Sequence, residues 1–430
     1  MSSLNDGVTA VHLVLAVGAI LLIAQVAGRL AVALLQPRVI GEIVAGVFLA
    51  PAILWAGGPG LLKAVLPDDV LHGAKLVGHV GLVLFVVGIV HEARSGWSRS
   101  RGRQVGWITA WAFLLAAVSG VVLAMWLHLD GNPMLRGEAP TPAFLLLMAV
   151  ALSVTAVPVL ARILRDRGIL GTPIGKLAMT AAIAIDVAAW FLLALAIGLS
   201  SGNAGHALAL LGVLTACCVG AFLVSRILRA ERITGACDRA PRFATVTVAV
   251  GAFAASMLLK DLGLTDIFGA VLVGLALPAR ESSEVWDHVT EKIRGFGVRL
   301  VPVFFVVTGA NIFVDKVEAA PWGLIVATIF LAVLGKVGGG LLGGMAAGLG
   351  WQGGLRLGIL MNTRGLTELL VLHAGYTAGI LSPMLYLALV VMAVVTTGMT
   401  GPLYSLVDWL TRWRTAASST AAAPTLKGAE

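Results

Sequence analysis

The chain alternates long apolar runs with short polar segments from end to end. Each run is about 20 residues long, the length that an α-helix needs to cross the hydrocarbon core of a bilayer. The runs lack the alternation of membrane β-strands, which disfavours a β-barrel. The pattern predicts thirteen membrane-spanning helices, at about residues 8–34, 38–56, 71–93, 104–128, 142–164, 174–198, 205–228, 241–259, 262–279, 292–314, 323–348, 353–375 and 381–408.

Polar residues interrupt two of these spans. The fifth contains the segment SVTAVP at 153–158, in which the proline removes a backbone donor and frees a carbonyl one turn earlier. The twelfth contains MNTRG at 361–365, at the corresponding place in the second half of the chain. Taken alone, the first is equally well explained as a proline kink. A pair of broken spans is typical of transporters built from inverted repeats.

Composition places the chain in the membrane class. Of its 430 residues, 59% are hydrophobic and 12% are charged, against about 25% charged residues in soluble proteins. The mean hydropathy is +0.96. The net charge of +8 fits loops that face an anionic lipid leaflet better than it fits a nucleic-acid partner.

The distribution of charge predicts the orientation of the spans. If the N-terminus is outside, the odd-numbered loops and the C-terminus face the cytoplasm and hold 21 of the 30 Lys and Arg residues. The outer loops hold four, which are Lys63, Arg136, Lys260 and Lys316. We therefore expect a multi-pass protein of a bacterial inner membrane with a cytoplasmic C-terminus.

Asp186 is the residue within the spans that most clearly suggests chemistry. It lies near the centre of the sixth span with no cation close to it in sequence. A charge at mid-bilayer costs at least about 2.5–3.5 kcal/mol, so an ionisable residue there is a functional-site hypothesis by default. A buried carboxylate can hold a proton or bind a metal cation, which is what exchange of the two requires. The alternative is a structural carboxylate satisfied by neighbouring hydroxyls.

Three further charged residues lie within spans. Lys336, flanked by glycines, is either a functional cation or a lysine that reaches the membrane surface. Arg364 and Glu368 are four residues apart and are predicted to pair, with a structural role favoured over direct ion binding.

Other chemistry finds little support in the sequence. The cysteines and histidines show no metal-ligand spacing, so no cofactor and no metal beyond a transported ion is expected. A phosphate-binding loop, G-x-x-x-x-G-K-[ST], is absent, which argues against an ATP-driven pump. We do not expect an enzyme.

The sequence resembles the monovalent cation:proton antiporter superfamily, in the branch of the glutathione-gated potassium efflux systems and the plant endomembrane cation exchangers. The resemblance covers all thirteen spans. The matching stretches are QPRVIGEIVAGVFLAP, SVTAVPVLARILRDRGILGT, IDVAAWFLLAL, FGAVLVGLALP, VPVFFVVTGANI, GKVGG, LMNTRGLTELLVL and VVTTGMTGPL.

The resemblance implies an all-α NhaA-like fold with two unwound crossover helices, an elevator motion and a homodimer. It implies a membrane transport domain at about 1–410. The residues that follow, 411–430, are rich in Ala, Ser and Thr, and this composition predicts a disordered cytoplasmic tail. Within the domain it implies a dimerisation part at about 8–93 and 241–314, a core part at about 104–198 and 323–408, and a linker helix at about 205–228.

The resemblance also assigns roles to residues. It implies that Asp186 binds the cation and the proton, with Ser153 and Thr155 beside it in the first crossover. It implies that Asn362 and Thr363 lie in the second crossover and that Lys336 is the core lysine.

The chain departs from the family pattern at two places. Ile185 stands where the family usually has Asp, Asn or Gln, and Gly88-Ile89-Val90 replaces Gly-Leu-Glu in the third span. Without a second carboxylate, Lys336 must bind Asp186, bind a hydroxyl or lose its proton.

These features predict a secondary antiporter that exchanges Na⁺ or K⁺ for H⁺. One cation is exchanged for one proton, so the exchange is expected to be electroneutral. The alternatives are a sodium-coupled organic-anion symporter of related fold and a membrane channel or sensor. The sequence does not distinguish Na⁺ from K⁺, because selectivity depends on cavity size and ligand number.

Overall fold

The computed structural model describes residues 2–34, 36–94, 99–131, 135–201, 204–262, 266–278, 284–310 and 322–421. Within these ranges the chain is helical and contains no strand. The helices are α1 (Ser2–Ala33), α2 (Arg38–Val65), α3 (Asp68–Arg94), α4 (Arg99–Asp130), α5 (Thr141–Ser153), α6 (Val157–Asp166), α7 (Pro173–Ser201), α8 (Ala204–Leu228), α9 (Glu231–Arg239), α10 (Pro241–Asp261), α11 (Asp266–Ala276), α12 (Glu284–Ala310), α13 (Trp322–Ala346), α14 (Gly350–Met361), α15 (Leu366–Thr377) and α16 (Pro383–Ala421).

Each of the thirteen predicted spans corresponds to a helix or to a broken pair of helices. The fifth span is α5 with α6, and the twelfth is α14 with α15. In the described residues, ten segments are long and apolar enough to cross a membrane. The other three predicted spans are α11, which is short, α12, which carries many charges, and the interrupted α14–α15 pair.

Two features differ from the prediction. Helix α9 is an additional short polar helix between α8 and α10. Helix α16 continues to Ala421, past the point at which the sequence predicts a disordered tail, and residues 422–430 lie outside the described ranges.

The helices pack in two groups. In the first, α12 packs against α2 and α3, α1 packs against α2 and α3, and α10 packs against α11. In the second, α13 packs against α4 and α14, and α5 packs against α4 and α7. Helices α6 and α7 of the second group contact α3 of the first, and α6 also contacts α2. Helix α8 contacts both α7 and α11.

Glycines allow α13 to approach its neighbours closely. A side chain at Gly339 would collide with the backbone of α4 at Trp111 and Ala112, and one at Gly340 would collide with Gly358 of α14. Membrane helices associate through such close backbone contacts between small residues. The contacts fix α13, and Lys336 with it, between α4 and α14.

The broken pair α5–α6 lies at the centre of the molecule. In the most apolar window of this segment 83% of residues are buried, against 11% in α1 and in α8. The outer helices expose large apolar side chains such as Leu208 and Phe243, as expected for surfaces in contact with lipid. The polar residues discussed below therefore lie in the interior, away from the lipid-facing surface.

Candidate functional site

The two helix breaks lie side by side and bond to each other. The first is the extended segment Val154–Ala156 between α5 and α6, and the second is Thr363–Gly365 between α14 and α15. The backbone N–H of Ala156 donates to the carbonyl of Thr363 at 3.1 Å. A side chain at Gly365 would lie 2.6 Å from the side chain of Val159 in α6, so only glycine fits there without a shift.

Two cations cap the end of α5. A helix leaves its last carbonyls without partners inside the helix, and these carry partial negative charge. The guanidinium of Arg364 donates to the carbonyls of Ala151 at 2.9 Å and Leu152 at 2.7 Å. The ammonium of Lys336 donates to the carbonyl of Ser153. The breaking of this helix is therefore compensated by residues from α13 and from the second break.

Lys336 also binds a hydroxyl. Its ammonium donates to Oγ1 of Thr155 at 2.7 Å, and that hydroxyl donates in turn to the carbonyl of Met361 at 3.0 Å. Both side chains are fully buried. Of the three outcomes expected for Lys336 in the absence of a second carboxylate, the structure therefore shows the hydroxyl contact, together with a backbone carbonyl.

The hydroxyl of Ser153 points elsewhere. It donates to the carbonyl of Ala149 at 2.6 Å or of Phe113 at 3.2 Å, as serines and threonines in helices commonly do. The part of Ser153 that faces Lys336 is its main-chain oxygen.

Asp186 lies in the middle of α7, beside the start of α6. Its side chain is 4% exposed and interacts with the backbone N–H of Val157, the first residue of α6. An anion at a helix N-terminus is stabilised by free N–H groups and by the helix dipole. Lys336 interacts with Asp186 electrostatically, but among the described residues no salt bridge within 4 Å joins the two.

Arg364 and Glu368 form the pair that their spacing predicts. Nη1 of Arg364 lies 2.8 Å from Oε1 of Glu368, and both side chains have no exposed surface. Within the described part of the chain, Nε of Arg364 and Oε2 of Glu368 have no hydrogen-bond partner. The pair is thus neutral overall but incompletely satisfied.

Helix α16 supports the second break through two threonines that sequence reasoning missed. Thr397 accepts a hydrogen bond from the N–H of Arg364 and donates to its carbonyl, both at 2.8 Å. The amide of Asn362 donates to the carbonyl of Thr396 at 3.3 Å, and the hydroxyl of Thr363 donates to Leu360 at 2.8 Å. Adjacent hydroxyls in the apolar run VVTTGMT are the signal that could have identified them.

A second missed interaction joins the two helix groups. Nη2 of Arg162, near the end of α6, donates to Oε1 of Glu42 in α2 at 3.0 Å, and both are buried. Arg162 and Glu42 are 120 positions apart, and nothing in the sequence near either residue indicates this contact.

Among the described residues, no group of three or more His, Cys, Asp or Glu residues is placed to hold a metal ion. The cysteines, Cys217, Cys218 and Cys237, are not in disulfides.

Comparison with known proteins identifies the family of the chain. Residues 13–407 match the family model described as the transmembrane sodium/hydrogen exchanger. The chain is 33% identical to cation/H⁺ antiporter 17 of Arabidopsis thaliana over 91% of its length, and it spans about half (48%) of that protein. It is 30% identical to the Na⁺/H⁺ antiporter NhaS4 of Synechocystis, covering 89% of this chain and 93% of the relative.

A yeast relative and a solved structure extend the comparison. K⁺/H⁺ antiporter 1 of Saccharomyces cerevisiae is 30% identical over 86% of this chain and 43% of its own length. The structure of the sodium proton antiporter MjNhaP1 of Methanocaldococcus jannaschii matches with a TM-score of 0.64. At 16% identity it covers 94% of this chain and 97% of its own, so the fold is shared.

Proposed function

Because the chain belongs to the sodium/hydrogen exchanger family, we propose that it is an antiporter that exchanges a monovalent cation, Na⁺ or K⁺, for H⁺. Relatives of similar sequence are named for both cations. We place this multi-pass protein in a bacterial inner membrane, with its N-terminus outside and its C-terminus in the cytoplasm.

The observation that carries the proposal is the environment of Asp186. The carboxylate is almost fully buried, at the first helix break, and is not joined to Lys336 by a salt bridge in the described structure. An isolated buried charge is costly, so the group avoids one by holding a proton or by binding a cation. Proton and cation then compete for the same oxygens, and this competition is the basis of coupled exchange.

Lys336 and Thr155 shape this site. Lys336 is held by Thr155 and by the carbonyl of Ser153. Its charge therefore acts electrostatically on Asp186, and the two side chains form no salt bridge in the described structure. Ser153 and Thr155 also supply oxygens at the first break, next to the start of α6, whose first residue Val157 bonds to Asp186. A bound cation would draw its remaining ligands from the oxygens of this break.

Arg364, Glu368, Asn362 and Thr363 have a supporting role in this proposal. Arg364 holds the carbonyl end of α5 and is neutralised by Glu368. Asn362 and Thr363 hold the second break against α16 and α14. The four keep the first break open at a fixed geometry, and none needs to bind the transported ion directly.

We assign the two helix groups to the dimerisation part and the core part of the antiporter fold. The group with α1 to α3 and α10 to α12 is the dimerisation part, and the group with α4 to α7 and α13 to α16 is the core that carries Asp186. Helix α8 links them, and two copies associate through the first group. The limited contact between the groups supports an elevator motion of the core.

The proposed stoichiometry is one cation for one proton. Ile185, the residue before Asp186, is fully buried among apolar side chains and cannot titrate. Asp186 is then the only acid that α7 contributes to the site. One cation replaced by one proton leaves the charge of the site the same in both half-cycles.

The function is tested by reconstituting the purified protein in sealed vesicles that contain a pH-sensitive dye. Addition of Na⁺, K⁺ or Li⁺ in turn should release protons with at least one of these cations. The proposal fails if none of the cations moves protons through a folded protein. Vesicles without protein control for leakage.

A further inference from the structure

A large cleft lies between the two helix groups, and its lining does not include Asp186. It consists of two adjoining cavities of about 600 and 260 Å³ that share residues of α1, α2, α6 and α12. The shared residues are Gln25, Arg38, Arg162 and Pro302. Arg38 begins α2 and Arg162 lies near the end of α6. Charge distribution predicts that these helix ends face the cytoplasm, so we expect the cleft to open on that side.

The cleft is strongly basic. Its lining contains five arginines and two carboxylates, which gives a net charge of +3. The arginines are Arg29, Arg38, Arg162, Arg165 and Arg299, and the carboxylates are Glu42 and Asp166. A lining of one sign concentrates ions of the opposite sign. The cleft therefore repels the cation that the antiporter carries and attracts an anion.

The arginines of the cleft have unused hydrogen-bonding capacity. Arg162 is 6% exposed, and its Nε lies 3.5 Å from Asp166 without a hydrogen bond to any described residue. Arg38 and Arg299 are exposed and form no salt bridge within 4 Å among the described residues. Arg38 acts electrostatically on both Glu42 and Asp166. The two carboxylates thus leave most of the donors in the cleft unoccupied.

We propose that this cleft binds a phosphate-bearing anion, a phosphomonoester or phosphodiester group. A guanidinium donates two parallel hydrogen bonds to phosphate oxygens, and several arginines around one cavity fit a group that carries one or two negative charges. The amide of Gln25 adds a neutral donor at the same wall. The group is carried either by a phospholipid of the surrounding membrane or by a soluble phosphorylated metabolite.

Binding there bridges the two helix groups and regulates exchange. The ligand contacts Arg38 in α2 and Arg299 in α12 on one side, and Arg162 and Arg165 in α6 on the other. Helix α6 begins at the first break, and the backbone N–H of its first residue, Val157, interacts with Asp186. A ligand that binds one arrangement of the groups more tightly stabilises it and slows its interconversion with the other. This regulatory effect rests on the proposed antiport, whereas the binding itself does not.

The test is a thermal-shift titration of the full chain in detergent. The probes are inorganic phosphate, a short-chain phosphatidylglycerol, and sodium chloride at matched ionic strength. Phosphate or phosphatidylglycerol should raise the Tm, whereas chloride should not. Substitution of both Arg38→Gln and Arg299→Gln should weaken the affinity about tenfold per arginine, a change that corresponds to about 1.4 kcal/mol each. Arg162 is left intact because its pair with Glu42 is buried.

The matched control carries Arg232→Gln and Arg239→Gln in α9, which are exposed arginines outside the cleft. It makes the same change in net charge and should bind like the wild type. A response to phosphate without one to phosphatidylglycerol identifies a soluble ligand, and a response to phosphatidylglycerol without one to phosphate identifies a lipid headgroup. A response to both supports the shared phosphate chemistry. Three outcomes would contradict the proposal. They are an equal loss of binding in both double variants, a Tm shift with chloride as large as with the probes, and no Tm shift with any probe.

A transport measurement separates the two proposals. Exchange is measured in phosphatidylcholine vesicles that contain the responding probe, either phosphate in the lumen or phosphatidylglycerol in the bilayer. The probe should slow exchange by the wild type. It should not slow exchange by the double variant Arg38→Gln and Arg299→Gln. A protein that exchanges ions but binds no probe contradicts only the cleft. A protein that binds a probe but exchanges no cation contradicts only the antiport.

Discussion

The ammonium of Lys336 donates a 2.7 Å hydrogen bond to the hydroxyl of Thr155. This contact joins α13 to the first helix break, and the same ammonium binds the carbonyl of Ser153. Lys336 is thereby held near Asp186 without forming a salt bridge to it in the described structure. Asp186 is therefore left available to a proton or a cation.

Asp186→Asn should abolish cation-dependent proton flux while the protein stays folded. The amide keeps the shape of the carboxylate but can neither titrate nor neutralise a cation. The measurement is dye-reported flux in vesicles, together with the Tm of the purified variant. Flux that persists in the purified variant would show that the exchanging group lies elsewhere.

Thr155→Val should weaken the apparent cation affinity about tenfold. Valine removes the acceptor for Lys336 and the donor to Met361, and an unmade buried hydrogen bond costs about 1–3 kcal/mol. The measurement is the half-saturating cation concentration. Thr155→Ser, which keeps the hydroxyl, should behave nearly as the wild type. If valine leaves the half-saturating concentration unchanged, the bound ion does not depend on the first break.

An imposed membrane potential should leave the endpoint of exchange unchanged. Moving one charge across the membrane is worth about 2.3 kcal/mol per 100 mV, so a voltage effect on the endpoint would be easily detected. The measurement compares endpoints in vesicles with and without a potential. A shifted endpoint would disprove 1:1 exchange. If Lys336→Gln then removed the shift, Lys336 would be the second proton carrier.

Arg364→Gln should destabilise the protein far more than Arg356→Gln. Both arginines form a 2.8 Å ion pair, Arg364 with the fully buried Glu368 and Arg356 with Asp408, whose side chain is 29% exposed. Removal of one partner of a buried pair costs about 3–5 kcal/mol, whereas exposed pairs contribute about 0–1 kcal/mol. The measurement is the Tm in detergent. Similar losses in the two variants would contradict a capping role for Arg364.

Much of the architecture could be predicted because it depends on local sequence. An apolar run of about 20 residues specifies a span wherever it occurs, and a carboxylate in such a run, such as Asp186, is conspicuous because its burial is costly. The two interruptions were visible as polar and proline residues in apolar segments. The pairing of Arg364 with Glu368 followed from their separation of four residues.

The partners of these residues depended on tertiary structure. Lys336 and Ser153 are separated by 183 positions, and nothing local to either predicts the contact. The same holds for Arg162 with Glu42 and for Thr397 with Arg364. In each case the contact depends on how two helices are rotated about their axes.

By itself, the sequence determined that the chain is built from long apolar helices, and it located the two breaks and the carboxylate within the sixth predicted span. Only the tertiary structure decided that Lys336 binds Thr155, that Arg364 caps α5 and that arginines from four helices line one cleft. The physical reason is that a helix which is apolar on all sides carries no polar stripe to indicate which face turns inward. In such helices the orientation is set by close packing, as between Gly340 and Gly358, and packing depends on both partners at once.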